Sequence, residues 1–184
     1  MPSLTDLELI DAFKSGDVTG FNELVRRYQE KVYWIARRIV GSHQDADDVA
    51  QEVFIRVHKA LRDFRAESGF YTWLYRVAVN VSLNALRKNR IKEFIRFEDV
   101  EEILEQPDAG ADRPVLKKEY DDLLERAIAR LPAKQKAVFM MRYYDEMPYE
   151  TMAQVLGKSV GGLKANYFHA LKKVQEFVRK ESNS

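Results

Sequence analysis

The stretch that most constrains the fold is residues 64–92, FRAESGFYTWLYRVAVNVSLNALRKNRIK. Its first twelve positions hold five aromatics, Phe64, Phe70, Tyr71, Trp73 and Tyr75. Residues 68–92 then run for 25 positions without an Asp or Glu, in a chain that carries 29 acids. The spacing predicts a helix from about Phe70 with two faces. Phe70, Leu74, Val77 and Val81 fall at core spacing, and Thr72, Arg76, Asn80, Asn84 and Arg87 or Lys88 line a second stripe. Taken alone, such a pattern is a core helix with a solvated basic side. The missing acids add a second reading, in which aromatic faces stack unpaired bases, amides read base edges and cations meet the backbone.

Charge distribution supports that second reading. The net charge is only +1, which by itself argues against a nucleic-acid binder. A second acid-free run covers residues 151–175 and includes Lys158, Lys164, His169, Lys172 and Lys173. Between the two runs, residues 97–112 contain seven acids and no base. Two basic surfaces separated by an acidic connector average to near neutrality, so the total is a poor guide.

Other classes are disfavoured by what is missing. With no cysteine, a disulfide framework, a thiolate metal site and a cysteine nucleophile are all excluded. His43, His58 and His169 are scattered without ligand spacing, so no metal or cofactor is expected, and His58 reads as a surface or edge residue. There is no phosphate-binding glycine run followed by Lys and Ser or Thr, and no paired carboxylates or activated nucleophile, so no enzymatic activity is expected. The start MPSLTDLEL lacks a signal-peptide layout, and no apolar run reaches membrane-spanning length. The expectation is a cytoplasmic protein with no direct membrane insertion.

The remaining pattern is helical throughout. Thr5 to Glu8 reads as a capping box for a short helix that stops at Gly16. Asp17 caps a second helix, with Phe21, Leu24, Val25, Tyr28, Val32, Ile35 and Ile39 inward and Gly41 at its end. In the third, Val49, Val53, Val57 and Leu61 form a buried row, while Asp48, Gln51, Glu52 and Ile55 share another face. Acids around an exposed apolar residue suit a basic partner surface with an apolar centre; a solvated acidic face with one stray isoleucine is the plainer alternative. Residues 95–116, with Pro107, Gly110 and Pro114, read as a flexible acidic linker. Beyond it, Tyr120, Leu123, Leu124, Ala127, Ile128 and Leu131 face inward from one helix, and Val138, Phe139 and Met141 from the next. Residues 149–156, a turn at Gly157 and Lys158, and a helix from Ser159 have the layout of a helix-turn-helix. Met152, Ala153 and Leu156 are expected to pack against Leu163, Phe168 or Leu171. Ser159 is the expected cap, and Gly161 and Gly162 either admit a phosphate to the backbone N–H groups or merely loosen that end. Lys164, Asn166, Tyr167, His169 and Lys172 remain to meet a major groove.

DADDVAQEVFIRVHKALRDFRAESGFYTWLYRVAVN resembles the second conserved region of bacterial sigma factors of the extracytoplasmic-function (ECF) group. The resemblance runs over about residues 7–92 and returns over 117–180, where Leu131-Pro132 through Val138-Phe139-Met140-Met141-Arg142 and SVGGLKANYFHALKK are similar to the fourth region. It implies an all-α chain of two small helical domains, 1–94 and 117–184, joined by the linker 95–116, the second containing the helix-turn-helix. It implies that Asp48, Gln51, Glu52 and Ile55 dock on core RNA polymerase. A pocket for a flipped minus-ten base would be built from Ala60, Phe64, Tyr75, Val77 and Asn80 under the loop 65–71, with Arg65, Tyr71, Trp73 and Arg76 also toward the DNA. Minus-thirty-five recognition would fall to Ser159, Gly161, Gly162, Lys164, Asn166, Tyr167, Phe168, His169 and Lys172. The linker would thread a polymerase channel that RNA later occupies; its acids suit mimicry of an RNA backbone or simple solvation equally. Promoter DNA, core polymerase and an anti-sigma factor are the implied candidate partners. The chain departs from the group in having Gly162 in place of Thr, Asn166, His169 and Leu171 in place of arginines, and Glu146 where a turn glycine is usual. The rival reading is a helix-turn-helix regulator that binds duplex DNA without polymerase, and it leaves the aromatic stretch and the acidic helix unused.

Overall fold

The computed structural model describes residues 4–96 and 115–182, with the backbone path alone for 90–96 and 115–119. Among the described residues every regular element is helical. The helices are α1 (Asp6–Lys14), α2 (Val18–Val40), α3 (His43–Ala60), α4 (Phe70–Arg96), α5 (Val115–Ala129), α6 (Ala133–Tyr143), α7 (Tyr149–Leu156) and α8 (Val160–Ser182), with a single 3₁₀ turn at Leu61–Asp63. Contacts divide the chain into two compact units, Met1–Ala85 and Leu86–Ser184, a division that falls inside α4. The expected acidic linker lies for the most part outside the described residues.

In the first unit the helix ends follow local chemistry. The Thr5 and Glu8 side chains cap each other's backbone at the start of α1, and Asp17 accepts from the Thr19 N–H to open α2. Gly41, at φ +92°, closes α2 in the left-handed conformation a glycine adopts without strain. Leu9, Ile10 and Phe13 of α1 pack on α2 at its first turn, where Gly20 is buried. A Cβ at Gly20 would lie 2.3 Å from the Leu9 carbonyl oxygen, so the two backbones meet only because that position is a glycine. Asp6 ties the same helices at their far side, accepting from Arg27 Nη1 at 2.6 Å and from the Tyr28 hydroxyl. Burial, then the bond to Asp6, pushes the Tyr28 hydroxyl well above the ordinary tyrosine range.

The expected row Val49, Val53, Val57 and Leu61 is fully buried. Helix α4 is more deeply sunk than its expected core stripe. Leu74, Tyr75, Ala78, Val79, Val81, Ser82 and Leu83 are all buried, whereas Val77, read as core, is half-buried. Ser82 is tolerated inside because its hydroxyl donates to the Ala78 carbonyl at 2.7 Å.

The second unit is built around α8. Leu124, Ala127, Ile128, Leu131, Phe139, Met140, Ala170 and Val174 form its core, with Tyr167, Leu171, Phe177 and Val178 packed against them. Tyr120, read as inward-facing, is 55% exposed. It lies near the start of α5, and helical spacing alone does not say where along a helix the partner surface begins. Glu146, in the turn before α7, has φ +48°. This is the position where the family resemblance leads one to expect glycine, and a left-handed non-glycine residue costs about 1–2 kcal/mol.

Gly20→Ala should destabilise the first unit by about 1–3 kcal/mol through overpacking. Thermal unfolding followed by far-UV circular dichroism checks this, and an unchanged midpoint would contradict the close approach of α1 and α2.

Candidate nucleic-acid and protein interfaces

An aromatic cluster sits where α4 begins. Phe64 packs on Phe70 and Trp73, at centroid distances of 6.0 and 5.1 Å, and Tyr28 of α2 meets Phe70 at 5.5 Å. Phe64, Phe70 and Tyr75 are buried, so in this conformation they form the floor of the cluster and offer no free face for stacking. Trp73 is half-buried, Tyr71 is 37% exposed, and Arg65, Ala60 and Asn80 are exposed. The Lys14 ammonium donates to the Phe64 carbonyl at 2.7 Å, which anchors the loop leading into α4, and Ala66 within that loop has φ +55°.

Helical geometry sorts the expected minus-ten residues onto two sides. At 100° per residue, Trp73, Val77, Asn80, Asn84 and Arg87 share one face of α4, while Tyr71, nine residues before Asn80, points to the opposite side. Arg76 borders the Asn80 face but is half-buried, and its Nε is buried without a protein hydrogen bond. Thr72 is half-buried too. The stripe read from the sequence is therefore narrower at its start, and Trp73, absent from that stripe, joins it.

On α3, Asp48, Gln51 and Ile55 are exposed, Ile55 at 49%, and Glu52 is half-exposed on the same face, opposite the buried valine row. Glu52 accepts from Arg56 Nε at 2.7 Å one turn on. Gln51 and Ile55 also line a shallow groove with Phe21, Phe54, His58 and Lys59. Phe21 was read from the sequence as an inward residue of the second helix, and Phe54 was given no role there. His58 sits at the edge of this groove, with its ring against Phe13 and Phe21 at 5.1 and 4.9 Å.

In the second unit, Gly157 at φ +61° ends α7 and Ser159 Oγ accepts from the Gly162 N–H at 3.2 Å to open α8. A Cβ at Gly162 would press on that hydroxyl at 3.1 Å, whereas one at Gly161 would meet nothing. Met152 and Val155 are the buried residues of α7; Ala153 and Leu156, expected beside Met152, are half-buried. Leu163 is buried as expected, but Phe168 is 63% exposed, so it faces outward and is not part of the packing between the helices. Tyr167 does pack: its ring stacks on Phe139 at 5.9 Å and meets Tyr149 at 6.5 Å, and burial raises its hydroxyl pKa. The Asn166 amide donates back to the Gly162 carbonyl at 2.9 Å, and the Lys164 ammonium lies 5.6 Å from the Tyr149 ring. Among residues 161–173 of α8 the exposed ones are Gly161, Gly162, Lys164, Ala165, Phe168, His169, Lys172 and Lys173.

Among the described residues no group of three or more His, Asp or Glu could hold a metal ion, and no helix is long and apolar enough to cross a membrane.

Comparison with known proteins matches both units. Residues 24–91 match the family model Sigma-70 region 2, and residues 121–174 match Sigma-70, region 4. The chain is 35% identical to the ECF RNA polymerase sigma-E factor of Escherichia coli K12, over 96% of this chain and 98% of that protein. It is 34% identical to the ECF RNA polymerase sigma-E factor of Haemophilus influenzae, over 96% of each, and 32% identical to the RNA polymerase sigma-H factor of Pseudomonas aeruginosa, over 95% and 94%. In fold it is similar to CnrH solved in complex with the cytosolic domain of CnrY, with a TM-score of 0.68 and 22% identity over 95% of this chain and 97% of that one. It is likewise similar to the sigma factor RpoE solved with the anti-sigma factor NepR from Bartonella quintana, at 0.68 and 18% over 86% and 96%.

The burial pattern separates a structural aromatic from a surface amide. Tyr75→Ala should cost about 3–5 kcal/mol of stability, as large-to-small core changes do. Asn80→Ala should stay within about 0.5 kcal/mol. Chemical denaturation of the two variants checks this; equal losses would contradict the placement of Tyr75.

Proposed function

The chain belongs to the ECF sigma factors of RNA polymerase, and from that premise we propose how its surfaces divide the work. As a sigma factor it binds core RNA polymerase, directs it to promoter DNA and starts strand opening. In this reading residues 1–94 form the region 2 domain, 117–184 the region 4 domain, and 95–116 the connector. The observation that carries the assignment is the outer face of α4, which is free of acids and exposes Asn80 two turns from Trp73 above a packed aromatic floor.

Extruding one base from a duplex costs a few kcal/mol in lost pairing and stacking. Stacking on an aromatic returns about 1–3 kcal/mol per base. One pocket therefore roughly balances one extrusion, and base-edge hydrogen bonds decide which base is extruded. Asn80 has the donor and acceptor for that choice. Ala60, Val77 and the loop carrying Arg65 bound the space beside it, with Phe64 and Tyr75 supporting from below. No covalent step is needed, and binding energy alone performs the task.

Asp48, Gln51, Glu52 and Ile55 supply the surface for core polymerase, with Phe54 extending its apolar centre. At the upstream element, Lys164, Phe168, His169 and Lys172 would meet the groove. Ser159, Gly161 and Gly162 bring the start of α8 near phosphate, and Tyr167 and Asn166 hold the helix in shape. With Asn166, His169 and Leu171 where the group commonly has arginines, bidentate guanine contacts are reduced. The base preference should shift accordingly. An anti-sigma factor is a further candidate partner, supported by the RpoE complex with NepR. It would compete for the same α3 face.

Reconstituted transcription with core polymerase tests this reading. Glu52→Lys should weaken core binding about tenfold or more, by placing a like charge against a basic surface. It should leave folding intact, since the pair lost with Arg56 is an exposed i, i+4 bridge. Normal core affinity in the folded variant would sink the α3 assignment.

A further inference from the structure

The described surface carries a second aromatic and cationic strip, in which the family-derived roles assign only Tyr71. Trp34, one of only two tryptophans, is 45% exposed on α2. Its ring is held edge-on by Tyr33 at 5.4 Å, and Tyr33 in turn pairs with His43 on α3. The indole is therefore oriented by Tyr33 while nearly half of the residue is exposed. Helical spacing places Lys31 one turn before Trp34 and Arg38 one turn after it, on the same side of α2. The Lys31 ammonium lies 5.3 Å from the ring of Tyr71 and 5.5 Å from that of Tyr28. The strip thus joins Tyr71, the exposed aromatic at the start of α4 that points away from Asn80.

We propose that Tyr71, Lys31, Trp34 and Arg38 form a second surface for single-stranded DNA, which takes bases of the opened strand beyond those held at the Asn80 face. The proposal rests on the minus-ten reading, because only an opened strand presents unpaired bases there. Two observations favour DNA over a protein occupant. The strip is continuous with the aromatic cluster at the start of α4, and it alternates rings with cations, the pattern that stacks bases and tracks a backbone. The nearby acid on α2, Glu30, is the i−4 neighbour of Trp34 and stands at the edge of the strip away from Lys31. Tyr71 sits in the first turn of α4, so a strand leaving the Asn80 face reaches the strip by passing round that end of the helix.

The test uses the chain bound to core polymerase and a DNA fork, duplex upstream and single-stranded with random sequence downstream, selected on the wild-type complex. Trp34→Ala should weaken fork binding about 5- to 150-fold, the range for loss of one stacked base. Trp34→Phe should keep most of the affinity, and Arg38→Gln should reduce the salt dependence by about one phosphate's share. An abasic site walked along the single strand should cost the wild type at one position where Trp34→Ala loses nothing more. Fork binding by Trp34→Ala equal to wild type, with Asn80→Ala weakened, would overturn the second surface alone. Indifference to Asn80→Ala would remove the minus-ten reading and this proposal with it. Loss of affinity for core polymerase without DNA would identify the strip as a protein interface and overturn it as a DNA surface.

Discussion

Tyr28 of α2 meets Phe70 and Tyr71 at the start of α4, with centroids 5.5 and 5.8 Å away, and Phe64 of the preceding loop packs on Phe70 and on Trp73 of α4. A unit of this size has little interior, and large aromatic side chains supply much of what it can bury. Their packing fixes where α4 starts and how it is rotated. That rotation sends Tyr75 inward and leaves Asn80 exposed and Trp73 half-buried. The close passage of α1 over Gly20, and the Asp6 bonds to Arg27 and Tyr28, hold α2 in place beneath the cluster. The aromatics thus perform a structural task first, and the few that remain exposed are held in position by those that do not.

Charge is arranged to keep the surfaces distinct. The outer face of α4 and residues 160–175 of α8 lie in acid-free runs, whereas the α3 face carries Asp48 and Glu52 around Ile55. A phosphate backbone is repelled by the second kind of surface and drawn to the first, and a basic protein surface has the reverse preference. On the proposed assignment, one small chain can in this way hold a protein and a nucleic acid at once without the two competing for one face. The net charge of +1 conceals this arrangement completely.

Much of the fold was legible because its signals are local. Thr5 and Glu8, Asp17, Gly41, Gly157 and Ser159 act within one turn of chain, and each caps the helix the sequence assigned to it. The valine row of α3 follows from period alone. What the sequence did not reveal depends on contacts between elements. Gly20 reads as an ordinary helical glycine until α1 is laid across it. Tyr75 and Phe168 were both candidates for DNA, yet one is sealed in the core and the other stands clear of the helix packing it was also offered for. Spacing places a residue on a face and does not say how wide the buried sector is. Trp34 lies outside the inward row of its helix and was given no role, since spacing does not say what an outward aromatic meets.

Strand opening tests the account most directly. The chain, core RNA polymerase and a promoter library would be combined and unpaired thymines mapped with permanganate, with Asn80→Ala in parallel. The account predicts opening that requires the polymerase and is lost or strongly reduced in Asn80→Ala, while that variant still folds and still binds core. Normal opening by Asn80→Ala, or duplex binding indifferent to polymerase with no opening, would contradict it.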